Sequence, residues 1–98
     1  MKLIIAIVRP FTVEKIVTAF EDIDGFPGVT VTDCEGFGQR VKTADDAINP
    51  FRPNKRMEIA VNEEMIEPII TTIKEHAHTG RKGDGFIITL NIETSTSI

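Results

Sequence analysis

Residues 79–85, Thr-Gly-Arg-Lys-Gly-Asp-Gly, concentrate three of the chain's seven glycines, two cations and one acid in seven positions. Glycines without a Cβ let several backbone N–H groups close on an anion, and Arg81 and Lys82 add the charge that a phosphate attracts. The same residues also suit a plain helix-to-strand connection, with Gly80 ending the helix in a left-handed conformation and Gly83 and Gly85 supplying turn geometry. Spacing alone leaves both readings open. It does exclude a dinucleotide fingerprint, because the Gly-x-x-Gly-x-Gly pattern follows a helical stretch and precedes an alternating one, the reverse of the order that fingerprint needs. Gly-x-Ser-x-Gly, His-Glu-x-x-His and the Walker loop do not occur, and no enzymatic activity is expected. His76 and His78 are two apart and do not share a helix face, and Cys34 is the single cysteine, which rules out an internal disulfide framework.

The elements that must position this turn follow from periodicity. A near-continuous apolar run over 3–8 reads as a central strand that Arg9-Pro10 terminates. Thr12 is placed to cap a helix whose apolar stripe is Val13, Ile16, Val17, Phe20 and Ile23. After the breaker cluster 24–28, alternation with β-branched residues over 29–35 reads as a second strand, running into Gly36-Phe37-Gly38. Residues 39–54 show no periodicity and contain Pro50 and Pro53, so they read as a loop too long to be idle. A third strand over 56–61, a helix over 64–77 that tolerates Pro68 only in its first turn, and a fourth strand over 86–92 complete the order. Strand-helix-strand repeated twice predicts one α+β domain over 1–98, a ferredoxin-like βαββαβ sandwich with both helices on one face of an antiparallel sheet.

Composition narrows the function further. A formal net charge of −4 argues against a general nucleic-acid binder. The longest apolar run is strand-sized, too short for a membrane span, and Arg9 interrupts it too early for a signal peptide. A cytoplasmic protein is expected.

Three motifs in this order carry a resemblance: Ile7-Val8-Arg9-Pro10-Phe11, Thr30 to Gly38 ending in Gly-Phe-Gly, and His78 to Gly85. Together they make the chain similar to the PII signalling proteins, the nitrogen-regulatory family, over about residues 1–93. That resemblance implies a homotrimer with adenine nucleotide (ADP, AMP or ATP) in clefts between neighbouring subunits. Carried over by position, the nucleotide-binding residues are Ile7, Thr30, Gly36, Phe37, Gly38, Glu58, Thr79, Gly80, Gly83, Asp84 and Gly85; Gln39, Arg40, Arg81 and Lys82 join them as candidate nucleotide contacts. The 39–54 loop would correspond to the family's T-loop, which docks onto a target protein, a membrane transporter or a metabolic enzyme. The chain also departs from the pattern. Gln39-Arg40 reverses the family's Arg-Gln, whose glutamine helps hold Mg²⁺ and 2-oxoglutarate, so neither is carried over. Phe86 stands where the family keeps a phosphate-binding lysine, the family's later arginines have no counterpart in 86–98, and without a tyrosine there is no site for uridylylation. Fewer cations should weaken triphosphate binding most, which predicts a preference for ADP or AMP. A second reading keeps the trimer without the nucleotide: a structural or metal-responsive protein resembling the copper-tolerance proteins, with Cys34, His76 and His78 as ligands.

Overall fold

Strand β1 (Lys2–Val8) lies at the centre of a four-stranded sheet in which every neighbour is antiparallel. The structure is a computed structural model, and it describes residues 1–38 and 48–98. Strands β2 (Thr30–Gly36), β3 (Arg52–Val61) and β4 (Gly85–Asn91) complete the sheet in the order β2-β3-β1-β4. Helices α1 (Val13–Phe20) and α2 (Ile66–Ala77) provide the second layer. This is the ferredoxin-like α+β arrangement that the periodicity predicts.

Period-two alternation sorts β1 onto two faces. Ile4, Ala6 and Val8 are buried together with Met57, Ile59 and Val61 of β3, and the register sets Ile4 opposite Ile59 and Ala6 opposite Met57. Ile16 and Phe20 from α1 and Ile69, Ile73 and Ala77 from α2 close this core. The other face carries Leu3, Ile5 and Ile7, paired across to Leu90, Ile88 and Phe86 of β4. Among the described residues no helix lies over that face, and Phe86, Ile88 and Leu90 are 56%, 41% and 45% exposed.

The structure moves several expected boundaries. Thr12 does mark the start of α1, but not as a side-chain cap: a 3₁₀ turn (Pro10–Thr12) comes first. The buried Thr12 hydroxyl donates to the carbonyl of Arg9 at 2.8 Å. Helix α1 ends at Phe20, so Ile23 packs on the core from the turn that follows. Pro68 is the third residue of α2, where its missing N–H would have lacked an intrahelical partner. The largest correction concerns the 39–54 loop. Strand β3 begins at Arg52, and Arg52, Pro53 and Asn54 pair with Gly36, Glu35 and Cys34. β1 ends opposite Lys55, so this overhang has only β2 beside it, a setting in which a strand proline is tolerated. The connection between β2 and β3 is therefore 37–51, of which 39–47 lie outside the described residues.

Candidate functional site

The turn from Thr79 to Gly85 joins α2 to β4, and Asp84 organises it. The Asp84 carboxylate accepts the Thr79 amide at 2.7 Å, the Thr79 hydroxyl, and Arg9 Nε at 3.1 Å. His78 Nδ1 stands 3.8 Å away on the outer side. Arg9 also donates through Nη2 to the carbonyl of Lys82 at 2.7 Å, and the amide of Arg81 donates to the Thr79 hydroxyl at 3.3 Å. The Thr79 hydroxyl and amide, followed by Arg9, hold Asp84 below its ordinary carboxylate range against the opposing effect of partial burial. Asp84 is thus a strut of the turn. Its oxygens are occupied from within the protein, and any ligand here would meet backbone and cations.

Glycine is required at particular places in this loop. Gly80 and Gly83 have φ of 83° and 81°, in the left-handed region, and Gly85 has φ 134°. A Cβ on Gly85 would lie 2.0 Å from the Ile7 carbonyl oxygen, so β1 and β4 approach here at a distance that only glycine allows. A Cβ on Gly80 would meet no atom beyond its chain neighbours within 4 Å, so its conformation is the reason for a glycine. Arg81 and Lys82 are exposed, and among the described residues neither side chain has a charged partner.

The other expected residues fall into two further groups. Gly36, Phe37 and Gly38 sit at the end of β2, where Phe37 is 72% exposed and its ring lies 5.9 Å from that of Phe51. This is the same end of the sheet as the 79–85 turn, but β2 and β4 are its opposite edges, three inter-strand steps or roughly 14 Å apart. Thr30 and Glu58 face each other across β2 and β3, and Glu58 accepts Arg56 Nε at 3.2 Å. Thr30 lies at the far end of β2 from Gly36, roughly 20 Å away along the strand. Ile7 adjoins the turn through Gly85 and Phe86. Gln39 and Arg40 lie outside the described residues.

Among the described residues, one chain does not unite these groups. A cavity of about 430 Å³ between α2 and β4 touches Asp84 and Gly85, but its walls are chiefly Val8, Ile70, Ile73, Ala77 and Ile87. It reaches neither the Gly-Phe-Gly segment nor Thr30 and Glu58. The metal set is not assembled either. His76 Nδ1 engages the Thr72 carbonyl at 2.9 Å, and among the described residues no three His, Cys, Asp or Glu side chains are placed to hold an ion.

Arg9 braces the turn, although the carried-over positions omit it. In sequence it is a cation before a proline at a strand end, and nothing there points to a partner 75 positions away. Only the antiparallel β1–β4 register brings the two together.

With this geometry in place, the comparisons with known proteins are specific. The family model described as nitrogen regulatory protein P-II matches residues 1–98. A nitrogen regulatory protein P-II of Bradyrhizobium diazoefficiens is 36% identical over 100% of this chain and 91% of its own length. One of Azospirillum brasilense is 33% identical, and the nitrogen regulatory protein GlnK of Escherichia coli K12 is 30% identical. Each of these two covers 95% of this chain and 87% of its own length.

Proposed function

Because the chain belongs to the nitrogen regulatory protein P-II family, we propose that it is a non-enzymatic regulator that binds an adenine nucleotide between subunits of a homotrimer. Nucleotide in the cleft biases the 37–51 connection, and that connection engages or releases a partner, a membrane transporter or a metabolic enzyme. Such coupling requires the nucleotide to bind the two states of the connection with different affinity.

The observation that carries this reading is the braced turn. Asp84 is spent on Thr79 and Arg9, which leaves the positive-φ backbone at Gly80 and Gly83 and the cations Arg81 and Lys82 for an anion. A plain connection would use the same glycines and acid but has no need of two exposed cations beside them. The separation of the other residues supports a shared cleft: Thr30 and Glu58 are too far from Gly36 to touch the same ligand within one chain, whereas a neighbouring copy can supply them. The exposed apolar face of β1 and β4 offers the surface on which such copies would pack.

Phosphate number is set by the cations available. Phe86 lies on the open face beside Ile7, 56% exposed, and offers no charge where a lysine would. Each missing charge-assisted contact removes roughly 1.5–3 kcal/mol, and a third phosphate is the group that depends on them most. We therefore expect ADP or AMP to bind more tightly than ATP. Titration calorimetry with the three nucleotides checks this. The expected order is ADP or AMP ahead of ATP, with Mg²⁺ and 2-oxoglutarate adding nothing. Tight Mg-ATP binding strengthened by 2-oxoglutarate would contradict it.

A further inference from the structure

We infer that Arg9 is the positioning residue that holds the 79–85 turn in its ligand-ready shape, and that it sets nucleotide affinity without contacting the nucleotide. The affinity half of this rests on the function proposed above; the positioning half stands on geometry alone.

Arg9 is itself fixed before it reaches the turn. Its carbonyl accepts both the amide of Thr12 at 3.1 Å and the buried Thr12 hydroxyl at 2.8 Å, so the first turn leading into α1 anchors its backbone. Pro10 follows it and restricts its conformation to the extended region, observed at φ −67° and ψ 141°. From this anchor one guanidinium spans two different acceptors on the turn, the Asp84 carboxylate and the Lys82 carbonyl. The Lys82 carbonyl precedes Gly83, and Arg9 Nη2 would lie 3.7 Å from a Cβ placed there. Arg9 thus sits against the inner side of the segment whose amides would face an anion.

A second consequence is electrostatic. The turn carries two cations and one acid. With Arg9 on Asp84, the acid is neutralised from behind and Arg81 and Lys82 are left to act on an incoming phosphate. Without Arg9, the carboxylate would keep its Thr79 hydrogen bonds but lose its guanidinium partner, and its charge would oppose the same phosphate. Lysine cannot replace arginine fully, because a single ammonium has no planar fork with which to serve both acceptors from one position.

The test compares wild type, Arg9→Lys and Arg9→Gln in the full chain. Hydrogen exchange of the 79–85 amides is measured without ligand, ADP titration is run alongside, and thermal melting serves as a control for folding. Exchange across 79–85 is expected to speed up in both variants while exchange in β3 and α2 stays at the wild-type level. ADP affinity should fall roughly tenfold for Arg9→Gln and less for Arg9→Lys. Wild-type exchange in both variants overturns the inference, and so does faster exchange with ADP affinity unchanged. Should Arg9→Gln fail to fold, Arg9→Lys alone decides on the same readouts. Should wild type take up no adenine nucleotide, the proposed function fails while the exchange data still decide the positioning role.

Discussion

Asp84 is the residue on which the site's local order depends, and its protonation state gives that dependence a measurable form. Its carboxylate is held below the ordinary range by the Thr79 hydroxyl and amide and by Arg9. A carboxyl group whose folded value is depressed contributes stability above its unfolded value and loses it as pH falls through the folded value. Wild type and Asp84→Asn should therefore differ in melting temperature at neutral pH. The gap should close as pH falls below the ordinary carboxylate range, which melts across a pH series would check. The neutral-pH difference corresponds to roughly 1.5–3 kcal/mol, the usual contribution of hydrogen bonds to a charged group. Residue types singled out this turn, but not its internal wiring. Three glycines, two cations and an acid in seven positions suit an anion-binding turn and a plain connection alike. That the acid faces inward, and that Arg9 holds it, depends on a contact between distant segments.

At the scale of elements, the turn exists because β1 and β4 run antiparallel and nearly in contact where Gly85 meets Ile7. Gly85→Ala would drive a methyl group into a main-chain carbonyl that cannot swing aside, and should cost about 3 kcal/mol or more. Gly80→Ala meets no neighbouring atom and should cost about 1–2 kcal/mol, the ordinary price of a left-handed alanine. Chemical denaturation of the two variants checks the ranking. The element plan itself was largely legible, since apolar runs of period two and 3.6 decide which faces are buried, and the order of two β-α-β units follows. Ends were less so. Thr12 donates to a carbonyl where a cap would accept an amide, and β3 starts four residues before its alternation becomes visible, because pairing with β2 extends it through Pro53. Local pattern does not report a partner strand. Of the site, the individual motifs were legible in sequence. Their separation in space, with Gly36–Gly38 and the turn on opposite edges and Thr30 at the far end of β2, was not.

The whole molecule poses a simple problem of surface. One face of the sheet is closed by two helices, while the other leaves Phe86, Ile88 and Leu90 exposed beside Leu3 and Ile7, with Ile5 buried among them. In the proposed trimer neighbouring copies would cover this apolar area, and the same association would bring Thr30 and Glu58 of one subunit toward the turn of another. Oligomer and ligand site are then a single property, so a charge placed on the open face should abolish both. Ile88→Glu is the suitable variant, because Ile88 is outside the core cluster and the change need not disturb the subunit's own packing. Native mass spectrometry of the intact protein with ADP tests this most directly, since it weighs the assembly and counts its nucleotides together. The account predicts trimers of wild type carrying up to three ADP, and monomers of Ile88→Glu carrying none. ADP bound to monomers, or wild-type trimers that take up no nucleotide, would contradict it.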